Sequence, residues 1–199
     1  MKVLVISSSP RKNGNTELLL HEIIKGIEDA GGKIRFIRLQ DLEICPCREC
    51  LRCHKNGRCV INDDMQTLYT EIINMDAMVF GSPIFFMSIS AQGKTFIDRC
   101  QPFWAMKYLL KKSFIHQEKP PRKGIFVSVG ATEFPYLFDG AVRVVKSLFK
   151  VIEVEYQDEL LIRKIDEKGQ ILKYPEVMKL GYKMGVRFVN LYKNTVRSY

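Results

Sequence analysis

Four cysteines fall in one short stretch of the 199-residue chain, spaced Cys47-x2-Cys50-x2-Cys53-x5-Cys59. A three-residue step spans at most about 10 Å of extended chain, so three thiols share one small volume and the fourth lies a short loop away. Thiolates are soft ligands, and this beat delivers them to several corners of one compact iron–sulfur cubane. A four-thiolate zinc site is the competing reading, but such sites pair one Cys-x2-Cys knuckle with a second, and no second pair follows. A disulfide framework is disfavoured by having only six cysteines, and by an opening stretch from Met1 to Ser9 without a secretory pattern. The expected metal ligands are therefore Cys47, Cys50, Cys53 and Cys59. Cys45, just ahead of Pro46, is read as a bystander and Cys100 as structural. Arg48, Arg52, Lys55 and Arg58 interleave with the ligands, where positive charge should lower thiol pKa and raise a cluster's potential, or where they equally form only a solvated basic loop.

A second constellation runs from Ser7 to Thr16 as SSSPRKNGNT. Hydroxyls, amides, a glycine and free backbone N–H groups collect there, ahead of a helical pattern. The N-terminal end of a helix carries about half a positive charge and unpaired donors, which favours a phosphate. Ser7, Ser9, Arg11, Asn13, Asn15 and Thr16 are the expected contacts. An ordinary capped turn, in which Asn15 or Thr16 merely starts the helix, is the plainer alternative. The loop is neither Gly-x4-Gly-Lys-[Ser/Thr] nor Gly-x-Gly-x2-Gly, which argues against an NTPase or a separate dinucleotide fold. A later run, Gly81 to Arg99, holds Pro83, Ile84, Phe85, Phe86, Met87 and Ser88. These offer apolar and aromatic surface for a planar ring, although Phe85 or Phe86 could equally serve as a core aromatic. The stretch Ser128 to Thr132, with Gly130, would form a third wall.

Strands and helices must hold these groups. Lys2 to Ser7, Ile34 to Leu39, Ala77 to Gly81, Gly124 to Val129 and Val151 to Ile162 read as strands. Helical patterns lie between them: Leu19, Leu20, Ile23, Ile24 and Ile27 before Gly31-Gly32, then Met65 to Asn74. Ser90 to Cys100 follows, continuing with a bend at Pro102 toward Lys112, and then Tyr136 to Lys150 and Pro175 to Val196. Strict alternation predicts an α/β fold: a doubly wound, five-stranded parallel sheet wrapped by helices. In the flavodoxin-like strand order the ligand crevice opens between strands one and three, which would bring the Ser7 and Gly81 loops face to face. Residues 40–64 show neither period, and this long insertion after strand two carries all four ligand cysteines. One domain spanning 1–199 is expected.

With 46% hydrophobic residues the chain can fill one core. No apolar run approaches the roughly 18 residues needed to span a bilayer, so a soluble, cytoplasmic protein without a membrane partner is expected. The formal charge of +9 points first to nucleic acid. A [4Fe-4S] cluster on four thiolates and a flavin phosphate would each bring about −2, leaving about +5. That balance favours an acidic protein partner over nucleic acid. Lys107, Lys111, Lys112, Lys119, Arg122 and Lys123 form a basic segment, read as either a solvated face or such a docking surface, and His21 and His116 are placed at the surface.

The motifs SSSPRKNGNT at 7–16 and GSPIFFMSISAQGKTFIDR at 81–99, with the cysteine run between them, resemble the iron–sulfur flavoproteins, a branch of the flavodoxin-like FMN reductases. The resemblance covers most of the chain and weakens after about residue 135. It implies FMN and one [4Fe-4S] cluster per subunit. It also implies a homo-oligomer, a dimer or tetramer, in which a cluster approaches a neighbouring subunit's FMN. Phe85 stands where relatives often carry tyrosine, and the third loop has only Gly130 where they tend to be richer in glycine.

The leading expectation is an electron-transfer protein that takes electrons from an acidic carrier such as ferredoxin through the cluster to FMN and on to oxygen species or a quinone. No catalytic acid, base or nucleophile is needed, because the cofactors carry the chemistry. The rival enzyme reading is an NAD(P)H-dependent FMN or quinone reductase with an accessory cluster. A zinc-stabilised, basic nucleic-acid-binding module is the rival from another class.

Overall fold

In the computed structural model, which describes residues 1–115 and 120–198, the apolar strand runs form β1 (Lys2–Ser7), β2 (Lys33–Arg38), β3 (Ala77–Pro83), β4 (Arg122–Val129) and β5 (Val154–Ile162). All pairings are parallel, in the order β2-β1-β3-β4-β5, the flavodoxin-like doubly wound arrangement. The central strands β1, β3 and β4 are buried on both faces, which explains their unbroken apolar runs.

Successive strand residues point to opposite faces and build two cores. On one face Val3, Val5, Val79 and Ile125 meet α1 (Asn15–Asp29) and α7 (Pro175–Ser198). On the other, Leu4, Met78, Phe80 and Phe126 meet α3 (Met65–Asn74), α4 (Ala91–Asp98), α5 (Gln101–Trp104) and α6 (Asp139–Val151). Helices α1 and α7 cross at backbone contact. A Cβ on Gly26 would lie 2.1 Å from the Tyr182 carbonyl oxygen, and one on Gly185 would lie 2.2 Å from that of Ile23.

Three boundaries differ from the sequence reading. The helix expected over 90–112 breaks at Arg99-Cys100, and past Pro102 it loosens into a π-type turn at Ala105–Leu109. Helix α6 starts at Asp139 rather than Tyr136. It keeps Val151, so β5 begins only at Val154, after Glu153 turns the chain with φ 58°. The irregular segment 40–64 contains one short helix, α2 (Cys53–Asn56), and Gly57 at φ 75° closes it.

The basic segment is not one solvated face. Arg122 is only 2% exposed and donates to the carbonyls of Ile72 and Ile152, at the C-terminal ends of α3 and α6. Burial pulls its guanidinium down to about 10. Lys107 donates to the Lys150 carbonyl at 2.6 Å, and Lys123 pairs with Glu155 at 2.5 Å. Lys119 and His116 lie outside the described residues. His21 is partly exposed, near Glu17 at 3.9 Å. Among the described residues no helix is long and apolar enough to cross a membrane.

Candidate functional site

The register Ser7↔Gly81 sets the loops after β1 and β3 side by side at the point where strand order reverses. Serines lace them together. The Ser8 N–H donates to the Gly81 carbonyl at 2.8 Å, and the Ser90 hydroxyl donates to the Ser8 carbonyl at 2.6 Å. Ser90 Oγ also accepts the Gly93 N–H, capping α4. The Ser82 hydroxyl accepts the Ser90 N–H at 3.0 Å, and the Ser128 hydroxyl donates to the Ser82 carbonyl at 2.7 Å, joining the loop after β4.

Of the expected phosphate contacts, Ser7, Ser9 and Thr16 are buried and Arg11 and Asn13 are exposed. The hydroxyls of Ser7 and Ser8 are buried without a hydrogen-bond partner, a costly arrangement unless a ligand oxygen meets them. Helix α1 is capped by Gly14, and no side chain bonds its first N–H groups. This removes the plainer alternative in which Asn15 or Thr16 caps the helix, and it leaves backbone donors for an anion. Asn15 turns elsewhere: its amide donates to the Glu167 carbonyl at 2.8 Å and accepts the Ile171 N–H at 3.2 Å, clamping the segment after β5. Glu17, missed in the sequence, accepts the N–H of left-handed Asn13 at 3.0 Å and the Arg38 guanidinium at 2.7 Å, which shapes the loop.

In the ring-facing segment, Phe85 and Ser88 exchange two backbone hydrogen bonds at 2.9 Å around Phe86 and Met87. Phe85 and Phe86 are both exposed, so neither is a core aromatic, while Pro83, Ile84, Met87 and Ser88 are half-buried. Gly130 is buried. A Cβ there would lie 2.7 Å from Leu137 Cδ2 and 3.4 Å from Ile84 Cγ1, so glycine keeps the third wall close to the second.

Cys47, Cys50, Cys53 and Cys59 all line one cavity of about 370 Å³, together with Arg99 and Trp104, and Cys45 is not in its wall. Cys47 and Cys50 are exposed, and Cys53 and Cys59 are half-buried. Among the described residues, no three His, Cys, Asp or Glu side chains converge to hold a single metal ion. Burial raises the Cys53 thiol, and the nearby sulfurs of Cys59, Cys47 and Cys50 raise it further. The expected lowering by basic neighbours is thus not found at Cys53, because Arg48, Arg52, Lys55 and Arg58 are all exposed to water, which screens them. Thiols that feel one another across a shared cavity are a fitting donor set for an iron–sulfur cluster.

Arg48 also lines the cavity but is exposed; the buried cation in its wall is Arg99, at the end of the 81–99 segment and unassigned in the sequence. It pairs with Asp63 and donates to Cys59 Sγ at 3.6 Å. Burial pushes the Asp63 carboxyl up, but the Arg99 guanidinium and the Cys45 N–H outweigh it and hold it below the usual range. Cys100 is buried and its thiol donates to the Phe96 carbonyl at 3.4 Å, a structural role.

The sheet order, the donor-rich loop at the switch point and the thiol-lined cavity define a flavodoxin-like protein of the flavin-binding kind. The chain belongs to the NADPH-dependent FMN reductase family, which matches residues 1–153. Curated proteins similar to it include iron–sulfur flavoproteins and a protein from Bacillus subtilis described as a putative NAD(P)H-dependent FMN-containing oxidoreductase, 30% identical over 99 residues, covering 50% of this chain and 51% of that one. An iron–sulfur flavoprotein from Methanocaldococcus jannaschii is 41% identical over 102 residues, covering 51% of this chain and 53% of that protein. One from Archaeoglobus fulgidus is 36% identical over 103 residues, covering 52% of this chain and 47% of its own length. The matches thus span about half of each relative. Among solved structures, an NAD(P)H:quinone oxidoreductase from Methanothermobacter marburgensis superposes with a TM-score of 0.70 at 13% identity, covering 94% of this chain and 96% of that one, which shows the fold.

Proposed function

We propose that this chain is an electron-transfer iron–sulfur flavoprotein, passing electrons from an acidic carrier such as ferredoxin through a [4Fe-4S] cluster to FMN and on to an acceptor such as an oxygen species or quinone. The observation that carries this reading is the wall of one cavity shared by Cys47, Cys50, Cys53 and Cys59, on a fold whose switch-point loop leaves buried hydroxyls unpartnered. When bound, the two groups would supply one-electron and two-electron redox chemistry, which needs no acid, base or nucleophile from the protein.

The residues have distinct tasks. Ser7, Ser8 and Ser9 and the open N-terminus of α1 would receive the FMN phosphate, and Arg11, exposed beside them, would add a mobile positive charge. The turn from Phe85 to Ser88 would offer aromatic surface and backbone donors to the ring, with Gly130 admitting it against the third loop. Arg48 in the cavity wall and Arg52, Lys55 and Arg58, all exposed on the cysteine loop, would attract an acidic carrier. A homo-oligomer in which one subunit's cysteine loop faces a neighbour's flavin suits the exposed thiols of Cys47 and Cys50.

Membership of the NADPH-dependent FMN reductase family, with a fold shared with an NAD(P)H:quinone oxidoreductase, favours a second reading. In it the chain is an NAD(P)H-dependent FMN or quinone reductase with an accessory cluster. One experiment separates them. Purified anaerobic protein is assayed for iron, sulfide, zinc and FMN, then mixed with reduced ferredoxin, NADH or NADPH while its absorbance is followed. Rapid bleaching by ferredoxin alone supports the first reading, and bleaching by a nicotinamide selects the second. Zinc without flavin would overturn both in favour of a basic nucleic-acid-binding module.

A further inference from the structure

The Arg99 side chain has no exposed surface. A guanidinium inside a protein needs partners for its charge and its donors. Nη1 donates to Asp63 Oδ2 at 2.5 Å and to the Cys45 carbonyl at 2.7 Å. Nη2 donates to Asp63 Oδ1 at 3.0 Å and to Cys59 Sγ at 3.6 Å, and Nε is buried without a partner. The Asp63 carboxylate accepts the Cys45 N–H at 2.9 Å and the Met65 N–H at 3.1 Å. One ion pair therefore fastens both ends of the cysteine loop to the end of α4. The Arg99 carbonyl is itself held by the Tyr69 hydroxyl at 2.7 Å.

Fastening the loop needs only the bonds to Cys45 and Asp63. The donor aimed at sulfur adds something else. Hydrogen bonds and positive charge at a ligand sulfur stabilise the more reduced, more negative cluster and so raise its potential. The four cations of the loop itself lie in water, where a unit charge acts roughly fourfold more weakly than at a partly buried site.

We propose that Arg99, locked in place by Asp63, positions the Cys59 sulfur and sets the reduction potential of the iron–sulfur group, a role that rests on the cluster reading above. Arg99 is thus a positioning residue acting through Cys59. Its partner Asp63 keeps the charge from leaving the site.

The test compares wild type, Arg99→Lys, the paired variant Arg99→Gln with Asp63→Asn, and Arg48→Glu with Arg52→Glu. Changing Arg99 and Asp63 together avoids leaving Asp63 buried and alone. Iron and sulfide are counted first, and cluster midpoints are then measured by redox titration with paramagnetic-resonance readout. The Arg99→Gln/Asp63→Asn protein should keep its iron, with the oxidised-to-reduced ratio at a fixed poise about tenfold higher, a fall of about 59 mV for one electron. Arg99→Lys, which keeps the charge but cannot bridge three partners, should fall between it and wild type. The Arg48/Arg52 variant should shift less than either. An unshifted midpoint in both the iron-replete paired variant and Arg99→Lys overturns the proposal. Should the paired variant fail to load iron, an unshifted Arg99→Lys overturns it equally. Wild type without iron and sulfide would instead overturn the cluster reading itself.

Discussion

Ser90 and Arg99 stand at opposite ends of one short helix, α4: Ser90 holds the loop after β1, and Arg99 holds the cysteine loop. Nine residues of helical rise separate their backbones by about 13 Å. The two candidate cofactor sites are therefore joined by a rigid strut whose inner face, through Phe96, is packed in the core.

That strut can be loosened at one end. Ser90→Ala removes the α4 cap, worth about 1 kcal/mol, and leaves the buried Ser8 carbonyl short of a donor, for a further 1–2 kcal/mol or so. The expected outcome is a lower unfolding temperature and weaker FMN binding, followed by flavin fluorescence quenching, with iron content unchanged. Loss of iron together with flavin would show that the two ends are not separable.

Removal of single thiols should discriminate between neighbours in sequence. Cys59→Ala takes away a cavity-lining sulfur and one of the two acceptors of Arg99 Nη2, so iron content and broad visible absorption should fall sharply. Cys45→Ser changes a side chain outside that wall, and only its backbone is engaged, by Asp63 and Arg99. Iron and sulfide should stay at wild-type levels. An iron-free Cys45→Ser protein would place that thiol in the ligand set.

Much of this was legible in the chain and some was not. Strand runs, helix periods and their alternation along the chain follow from local patterns, because each element buries a face or a stripe, whereas the sheet order β2-β1-β3-β4-β5 follows only from the flavodoxin-like expectation. The cysteine beat and the SSSPRKNGNT loop were legible because they are contiguous. The Arg99–Asp63 pair was hidden because its partners lie 36 positions apart and meet only when α4 folds back on the loop. Asn15 was misleading for a similar reason: its partners, Glu167 and Ile171, are contributed by a distant segment. Arg122 looked like one more basic residue, and only the sheet shows that it sits between two helix ends.

Alkaline pH should destabilise the protein before it affects the chemistry. Burial, aided by Asp76, pushes the Tyr192 phenol up to about 12, and burial also raises Tyr69 and Tyr156. An unfolded tyrosine ionises near 10, so between about 10 and 12 the unfolded chain loses protons that the folded chain keeps. Stability tied to these groups is complete below about pH 10 and falls as pH rises above it. Urea unfolding followed by circular dichroism from about pH 8 to about 11.5 should show this decline. Tyr192→Phe should make it shallower, and an equally steep decline would remove Tyr192 as a cause.

The turn at Phe86 and Met87 tests whether strain has been kept for a ligand. Both residues have positive φ, 45° and 64°, in a two-residue hairpin that ordinarily takes Asn-Gly. Each non-glycine residue in that region costs about 1 kcal/mol or more. Phe86 is 102% exposed, so its ring returns nothing to the core of the chain. The Met87 carbonyl packs close against α6, where a Cβ on Gly140 would lie 2.4 Å from its oxygen, so the turn cannot relax toward that helix. Phe86→Gly should relieve the backbone without losing packing, stabilising the flavin-free protein by about 0.5–1 kcal/mol after glycine's own entropy cost. The same change should weaken FMN several-fold if the aromatic covers the ring. Opposite signs in the two measurements, thermal unfolding and flavin titration, are the expected signature. A gain in stability with unaltered FMN affinity would leave the strained phenylalanine without a part in flavin binding.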